Sequence, residues 1–357
     1  MMKIKLAILE KDERYLNKIV SVFNAKYADK LEIYSFTDSA LAIEAVEESR
    51  IDVFLANEGF HIDGGSVPKR CGFAYLVDSN EIEALNKQRT ICKFQKADLI
   101  YRQILSIYSE NAGNVTGIRM VDDNCKVITF SSPSGGAGSS TMAAACALHF
   151  SLQRKKTLYI NLEPFGTSDV FFSADGQFTM SDVVFALKNK KTNLSMKLES
   201  CVRQDPRGVY FYSSAQLALD MLELNMDDIM RLISEVKLSG MYDIVVLDIP
   251  FEIEKAHLDV YNQSNFWVIT GDGSEISNSK IFRAYNAVAI TEQAMDIAVT
   301  RKMLLIYNKF SNKTGKSVEG TDLKRIGGAP RYEHATVQQV ITELSSLDMF
   351  DAMDSGW

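Results

Sequence analysis

The sequence predicts an α/β protein made of two doubly wound domains, each a mostly parallel sheet with helices on both faces. Apolar segments and helical patterns alternate through the first hundred residues, as strand 5–9, helix 15–27, strand 31–36, helix 39–48 and strand 52–56. A second series of apolar strands starts at Cys125, and a glycine-rich loop and an alanine-rich helix follow its first strand. With 357 residues, 46% of them hydrophobic, the chain is long enough to bury two cores.

A small, polar segment separates the two series. Residues 109–117 are rich in Ser, Asn, Gly and Thr, a composition typical of a linker. We therefore predict a first domain over residues 1–108, a linker over 109–122 and a second domain over 123–357. Residues 189–235 carry no motif that indicates a function, although residues 217–236 have the apolar spacing of a helix.

Charge and cysteine content narrow the classes of partner. Lys and Arg number 39 and Asp and Glu 46, for a net charge of −7, so broad attraction to nucleic acid is not expected. The five cysteines are widely spaced and odd in number, which is typical of buried thiols in a reducing compartment. No segment approaches the roughly 18 apolar residues of a membrane span, and the apolar run at the start is too short for a signal peptide. We expect a cytoplasmic protein that does not insert into membranes.

The end of the chain also argues against membrane binding. After Arg331 there is no Lys or Arg, while several acidic residues occur. A basic amphipathic helix of the kind that lies on anionic membranes is therefore not expected there.

Residues 131–141, with the sequence SSPSGGAGSST, have the pattern of a phosphate-binding loop between a strand and a helix. Glycines let successive backbone N–H groups converge on a phosphate at a helix N-terminus, and a Ser or Thr hydroxyl holds Mg²⁺. The lysine that such loops use is absent. For this segment alone, a plain flexible turn is the alternative interpretation.

Polar residues at the ends of three later apolar strands favour the nucleotide site. Asn161 and Glu163 follow one strand, Asp248 ends a second, and Asn308 follows a third. In open α/β sheets, functional residues lie at the carboxyl ends of the strands. An aspartate in such a place is more often a helix cap or a turn residue, so the order of the fragments, rather than any one of them, indicates the site.

In this order the fragments resemble the ParA/MinD family, whose fold is that of the SIMIBI-type P-loop NTPases. The resemblance implies that ATP and Mg²⁺ are bound, with Ser140 on the metal and Asp248 holding it through water. It also implies that Glu163 orients the attacking water and that Asn308 reads adenine, below a loop that contains Pro330 and Arg331. The other residues of the implied nucleotide site are Ser134, Gly135, Gly136, Ala137, Gly138, Ser139 and Thr141.

Two lysines of the family's deviant loop are serines in this chain. In the family, the lysine at the position of Ser134 reaches the partner's nucleotide, and the one at Ser139 contacts phosphates of its own subunit. Removing one group that stabilises transition-state charge costs roughly 10²–10³ in rate, so we expect weak ATPase activity at most. Binding is less affected, because the backbone N–H groups, the helix dipole and Ser140 remain. Candidate replacement cations are Lys155, Lys156, Lys309 and Arg331.

The first domain resembles the flavodoxin-like receiver domains of response regulators. Asn57 stands where receivers have the aspartate that is phosphorylated, and an amide cannot form an acyl phosphate. Glu10 and Lys11 match the acidic pair that holds Mg²⁺, and Lys93 matches the lysine that contacts the phosphoryl group. We therefore expect a protein-docking module without a phosphoacceptor.

Some features of this receiver-like domain stay open. Val77 or Asp78 falls at the hydroxyl position of receivers, and a shifted register would make Glu58 or Asp52 the acceptor. A purely structural role for the domain is a further alternative.

A degenerate receiver followed by a ParA/MinD-type domain resembles the TadZ/CpaE family of tight-adherence (Tad) pilus assembly proteins. The resemblance implies a homodimer at the cell pole that recruits other Tad pilus proteins, or meets a polar marker, through its receiver-like domain. We interpret the chain as an ATP-stabilised assembly hub with low or absent hydrolysis. The alternatives are an active cycling ATPase, a receiver-regulated signalling protein and a DNA-partitioning ATPase, and the net charge disfavours the last.

Overall fold

The computed structural model describes residues 3–111, 125–189 and 193–354. Two compact units are present: one comprises Met1–Ile118 and Asn189–Cys201, and the other comprises Arg119–Lys188 and Val202–Trp357. Most of the predicted linker lies outside the described residues, and its first residues, 109–111, end a helix.

The strands are β1 (Ile4–Leu9), β2 (Leu31–Phe36), β3 (Val53–Asn57), β4 (Gly72–Val77), β5 (Ala84–Leu85), β6 (Gln88–Cys92), β7 (Lys126–Ser131), β8 (Thr157–Asn161), β9 (Arg203–Gln204), β10 (Tyr210–Phe211), β11 (Ile244–Asp248), β12 (Phe266–Gly271), β13 (Met303–Tyr307) and β14 (Lys324–Gly328). The helices are α1 (Glu13–Tyr27), α2 (Ser39–Glu48), α3 (Ala97–Asn111), α4 (Ser139–Leu152), α5 (Ser168–Phe171), α6 (Met180–Lys188), α7 (Leu194–Cys201), α8 (Ala218–Met221), α9 (Met226–Leu238), α10 (Lys255–Gln263), α11 (Glu275–Met295) and α12 (Val337–Ser345).

The first unit is a six-stranded sheet in the order β2-β1-β3-β4-β6-β5, parallel except for the β5–β6 pair. Side chains alternate between the faces of a strand, so Ile8 packs with α1 and α3 while Ala7 packs with α2. The predicted doubly wound fold is confirmed. Two crossovers have no α-helix, because residues 58–71 form 3-10 turns and residues 78–87 form the short β5 hairpin arm.

A short helix from the middle of the second domain's sequence belongs to the first unit. α7 packs on α3, where the ammonium of the buried Lys197 lies 2.7 Å from Ser106 Oγ and 3.6 Å from Glu110 Oε1. Glu199 on the same helix pairs with Lys30 at 2.6 Å. We expected residues 123–357 to form one contiguous domain, and the sequence patterns gave no indication of this excursion over 189–201.

The second unit is an eight-stranded sheet in the order β14-β13-β12-β7-β11-β8-β10-β9, parallel except for β9. α4 is buried along most of its length between this sheet and α12, because its alanines allow close approach from every side. The carboxyl ends of β7, β8, β11, β12 and β13 therefore lie at one edge of the sheet.

One predicted helix of the second unit is wrong. The helical pattern over 217–236 is interrupted, because Asn225 caps a new helix, α9, with a reciprocal capping box to Asp228. The loop predicted to contain Pro330 and Arg331 follows β14, which ends at Gly328. In the described part of the chain, no helix is both long enough and apolar enough to cross a membrane.

Candidate functional site

The glycine-rich loop joins β7 to α4 in the conformation that a phosphate cradle requires. Gly136 and Gly138 have φ values of 77° and 89°, which side-chain-bearing residues rarely adopt. Gly138 directly precedes α4, and a Cβ there would also lie 2.3 Å from Asn308 Nδ2. Gly135 and Gly136 are exposed, with nothing within 4 Å of a Cβ built on either. The cradle is therefore open, and the free N–H groups of the first turn of α4 lie next to it.

Asn308 and Lys309 connect the end of β13 to this loop. Asn308 Nδ2 donates to the carbonyl of Ala137 at 2.9 Å, and its Oδ1 accepts from the backbone N–H of Lys309 at 3.0 Å. Lys309 Nζ donates to the carbonyl of Gly136 at 2.9 Å. Both polar atoms of the Asn308 side chain thus have partners inside the protein. The residue fixes the loop, and it also lies where adenine is predicted to bind.

Three polar side chains meet on the other side of the loop. Ser140 Oγ, in the first turn of α4, donates to Glu163 Oε2 at 3.2 Å. Asp248, at the end of β11, is completely buried, and its Oδ2 accepts from Tyr159 OH and Asn161 Nδ2, each at 2.9 Å. Its other oxygen, Oδ1, has no hydrogen-bond partner. The predicted gathering of Ser140, Glu163 and Asp248 is present in the structure.

This arrangement buries the carboxylate of Asp248 away from water and close to the carboxylate of Glu163. Burial, and next the charge of Glu163, raise the pKa of Asp248 to about 7, against hydrogen bonds from Tyr159 and Ser140. A cation at the free Oδ1 would relieve both effects. Mg²⁺ is commonly bound by one or two carboxylates together with substrate phosphates, and no group of three or more His, Cys, Asp or Glu side chains forms a metal site among the described residues. The residues present fit Mg²⁺ bound together with a phosphate.

The serines at the two lysine positions leave this site poor in positive charge. Ser134 is buried in the loop, and Ser139 Oγ is buried without a hydrogen-bond partner at the start of α4. Of the candidate replacement cations, Lys309 contacts the loop. Lys155 pairs with Asp354, and Lys156 is the next residue in the sequence. The predictions for Lys155 and Lys156 are wrong, because both precede β8 and lie at its amino end, about 16 Å of strand away from the loop.

The remaining predicted residues lie along the same edge of the sheet. Pro330 and Arg331 follow β14, the neighbour of β13, and both are exposed. Thr141 is half-buried in the first turn of α4. Asn161 and Tyr159 both donate to Asp248. The sequence points to Asn161, whereas the role of Tyr159 follows only from the parallel pairing of β8 with β11.

In the receiver-like domain, the pocket at the ends of β1, β3, β4 and β6 is filled by the protein's own groups. Glu10 has only 1% of its surface exposed, and Asn57 Nδ2 lies 3.0 Å from both of its carboxylate oxygens. Lys93 Nζ pairs with Glu10 at 3.3 Å and with Asp78 at 2.7 Å. The carboxylate, the amide and the ammonium satisfy one another, so the pocket has no free ligand for a metal.

The surroundings of Lys93 hold it in its charged form. Burial opposes the ammonium, but hydrogen bonds and charges from Asp78 and Glu10 outweigh burial and raise the pKa of Lys93. Its Nζ also lies 5.6 Å from the ring of Tyr15 and 5.7 Å from that of Phe94. Lys11 points elsewhere, and its Nζ donates to the carbonyl of Gly59 at 2.6 Å.

The register of the receiver-like strands agrees with the residues named from the sequence. Asn57 is the last residue of β3 and pairs with Leu76 of β4, one residue before Val77 ends that strand. The alternative acceptor Asp52 is wrong, because it precedes β3 and accepts from the backbone of Lys5 at the opposite edge of the sheet. Asp78, one of two residues considered for the hydroxyl position, is the partner of Lys93.

Known protein families and solved structures resemble parts of this chain. Residues 2–109 match the family model described as TadZ-like, receiver domain. No curated protein matches the sequence. Among solved structures, a ParA family ATPase from Chlorobium tepidum TLS has 19% identity and a TM-score of 0.50, over 64% of this chain and 96% of that one. At that identity, the likeness shows the fold alone.

Two further structures have TM-scores of 0.48. The septum site-determining protein MinD complexed with Mg-ADP, from Pyrococcus horikoshii OT3, is 15% identical over 65% of this chain and 100% of its own. The MinC:MinD cell division protein complex of Aquifex aeolicus is 19% identical over 64% of this chain and 95% of its own. The resemblance to TadZ/CpaE proteins, inferred from the sequence, is confirmed for the receiver and for the fold that follows it. The chain thus begins with a domain that matches the TadZ-like receiver model, and a domain with the fold of a ParA family ATPase follows it.

Proposed function

We propose that this protein is an ATP-binding homodimer, stabilised by the nucleotide, that acts as a localisation and assembly hub for Tad-type pilus biogenesis at the cell pole. ATP is hydrolysed slowly or not at all. The observation that carries the proposal is the open cradle beside a buried carboxylate with a free oxygen: Gly135 and Gly136 are exposed, and Asp248 Oδ1 has no partner. Buried polar atoms of folded proteins nearly always have a partner, and a ligand bound at Asp248 Oδ1 would give this atom one.

ATP and Mg²⁺ suit this edge of the sheet because each would meet groups that can bind it, among them Asp248 Oδ1, which has no partner. The backbone N–H groups of residues 135–140 and the dipole of α4 favour a phosphate chain. Ser140 and Asp248 would hold Mg²⁺, which supplies positive charge that offsets the phosphates. Asn308 keeps the cradle in shape through the Ala137 carbonyl, and the loop at Pro330 and Arg331 lies on the side of the base.

Slow hydrolysis follows from the charges that surround the cradle. Neither Ser134 nor Ser139 supplies the positive charge of a lysine to a transferring phosphate, and Lys309 already donates to Gly136. Each missing donor costs roughly 10²–10³ in rate. Glu163 lies beside Ser140 and could orient water, which is the observation that favours an active cycling ATPase as the second candidate. Steady-state turnover distinguishes the two.

Dimer formation is supported by apolar side chains at the same edge. Phe165 follows β8 and is 79% exposed, and Ile276 follows β12 and is 71% exposed. Exposed apolar groups around a ligand site are typical of protein interfaces. If two copies bury these residues over bound ATP, mass action couples ATP occupancy to assembly.

The receiver-like domain is the proposed docking module for other Tad pilus proteins or for a polar marker. Its TadZ-like character supports this role, and Phe94, beside Lys93, is 71% exposed. Because Asn57 cannot accept a phosphoryl group, docking does not depend on phosphorylation. The net charge of −7 gives no reason to expect nucleic acid as a partner.

The experiment that tests the proposal is calorimetric titration with ATP and Mg²⁺, together with light scattering of the same samples. We expect micromolar binding and a change from monomer to dimer mass on saturation, with turnover near the detection limit. Asp248→Ala is the matched variant and should weaken Mg²⁺-dependent binding while leaving the receiver-like domain intact. Absence of binding at millimolar ATP, or rapid turnover, would contradict the proposal.

A further inference from the structure

A groove of about 650 Å³ opens beside the phosphate loop, on the side of α11. Pro133 of the loop forms one wall, and side chains from the first three turns of α11 form the other. The residues on α11 are Glu275, Ile276, Ser279, Lys280 and Arg283. The groove is separate from the cluster of Ser140, Glu163 and Asp248, which lies towards β8 and β11.

Lys280 and Arg283 bring unpaired positive charge to this groove. They are spaced i and i+3, so they are neighbours on one face of the helix. Both are exposed, and neither forms an ion pair or a hydrogen bond within the described ranges 3–111, 125–189 and 193–354. Glu275 is the one acidic residue in the lining, so the groove has a net positive charge. The adjacent cradle, with serines at 134 and 139, lacks positive charge.

The helix that lines the groove packs on the face of the sheet opposite to α4. Val268 of β12 packs in the same core cluster as α4. Side chains alternate along a strand, so Gly271 points to the opposite face, where a Cβ would lie 2.6 Å from Ile281 of α11. α4 and α11 therefore pack on opposite faces of the sheet. Phosphates at the N-terminus of α4 and cations on α11 lie on different flanks of the loop.

We propose that Lys280 and Arg283 bind the phosphates of ATP held by a second copy of this chain. The inference rests on the proposed function, since it requires two copies that meet over bound nucleotide. Charge complementarity supports this occupant: an ATP in the opposing cradle presents several negative charges, and its own copy offers serines where lysines are expected. The exposed Ile276 lies in the same groove and gives the second copy an apolar contact beside the charged one.

If Lys280 and Arg283 bind these phosphates, the stability of the dimer depends on bound ATP. Without ATP, the cradle of the opposing copy offers these cations no phosphate. With ATP, they contact the phosphates directly. A guanidinium can bind a phosphate with two parallel hydrogen bonds, and an ammonium acts as a point charge.

The test compares Lys280→Ala/Arg283→Ala with the charge-conserving pair Lys280→Arg/Arg283→Lys. Calorimetry at low protein concentration measures ATP binding by the single copy, and light scattering over a concentration series measures dimer formation with ATP. We expect the alanine pair to keep ATP binding within about threefold and to weaken the dimer at least about tenfold. The charge-conserving pair should stay near wild type in both.

A mixing experiment separates action across the dimer from action within one copy. The alanine pair, with an intact cradle, is mixed with Gly138→Ala, whose added Cβ would meet Asn308. If the cations act across the interface, the mixture forms an ATP-dependent heterodimer with one complete site, although neither variant dimerises well alone. If they act on their own nucleotide, the mixture forms none, and the inference is overturned.

The remaining outcomes are also decisive. An ATP-driven dimer that forms equally well with the alanine pair overturns this inference and leaves the proposed function standing. Equal losses of single-copy binding and of dimer formation assign the cations to their own nucleotide and overturn it as well. A wild-type protein whose mass does not respond to ATP overturns the proposed function and this inference together.

Discussion

The receiver-like pocket and the phosphate loop both lack charged residues that the related families have, but the structure treats the two gaps differently. In the receiver-like pocket, Asn57, Lys93 and Asp78 surround Glu10, and every carboxylate oxygen of Glu10 has a partner. At the phosphate loop, the gaps remain open: Ser139 Oγ and Asp248 Oδ1 are buried without a partner. A site that has lost its ligand can satisfy itself internally, whereas a site that still binds one cannot. This contrast supports our proposal that the phosphate loop binds a ligand, whereas the receiver-like pocket is filled by the protein's own groups.

The largest effect should come from removing the central cation of the receiver-like pocket. Lys93→Met leaves the carboxylate of Glu10 buried without a counter-charge, and breaking such a pair costs about 3–5 kcal/mol. We expect that loss in the free energy of unfolding of the full chain, measured with urea. The double variant Glu10→Gln/Lys93→Met should recover much of it.

Lys11→Met is the matched control, since Lys11 is exposed and its ammonium donates one hydrogen bond, to the carbonyl of Gly59, and lies 5.0 Å from the ring of Phe60. It should cost about 1 kcal/mol or less. Equal losses for Lys93→Met and Lys11→Met would show that the pocket is not held by the Glu10–Lys93 pair.

The second-largest effect, at Asp248 beside the phosphate loop, is an increase in the free energy of unfolding. The pKa of Asp248 is raised from 3.8 to about 7, so the native state binds this proton more tightly than the unfolded state does. Stability from this group is present below pH 4 and is lost as the pH rises from 4 to about 7. In the metal-free protein at pH 8, Asp248→Asn should therefore stabilise the fold by about 2 kcal/mol, after the cost of the new amide N–H groups.

The measurement is thermal unfolding of wild type and Asp248→Asn in a chelator, at a series of pH values. The difference between the two should grow between pH 4 and 7 and then remain constant. Addition of Mg²⁺ and ATP should reverse its sign, because only the carboxylate binds the metal. A difference that does not change with pH would mean that Asp248 is not a strained buried charge.

A smaller gain is expected when positive charge is returned to the cradle. Ser139→Lys places an ammonium where a buried hydroxyl has no partner, and the exposed glycines leave room for it. We expect ATP to bind about tenfold more tightly, equivalent to about 1.4 kcal/mol, as measured by calorimetry. Ser151→Lys, on the same helix but at its far end, is the control. Unchanged affinity would indicate that the cradle does not hold phosphates.

The smallest effect is expected when the missing acceptor is returned to the receiver-like pocket. Asn57→Asp restores a carboxylate, but Lys93 stays paired with Glu10 and Asp78, and Lys11 stands where an acidic residue would help hold Mg²⁺. Incubation with acetyl phosphate and Mg²⁺ should leave the intact mass of the variant unchanged. Phosphorylation of Asn57→Asp would show that the pocket can still open, and it would remove the contrast between the two sites.

Several features followed from the sequence because they depend on local patterns. The apolar strands, their glycine-rich connection and the helix of alanines predicted the parallel sheets and the place of the loop. Glu163, Asp248 and Asn308 were named because their fragments follow the order of the ParA/MinD family, and they meet because the carboxyl ends of parallel strands lie at one edge of the sheet. The replacement of Asn57 and of the two loop lysines is visible in the sequence itself.

Other features depend on which residues meet across the fold, and the sequence could not specify them. The order of strands in the sheet decided that Tyr159 holds Asp248 and that Lys155 and Lys156 lie at the wrong edge to serve the loop. Tertiary packing alone placed α7 with the first unit, through the buried Lys197. It also showed that one degenerate site is closed and the other open. Residue types and their spacing determine which groups are present, but whether a buried charge has a partner depends on side chains that are distant in the sequence, as Lys93 is from Glu10.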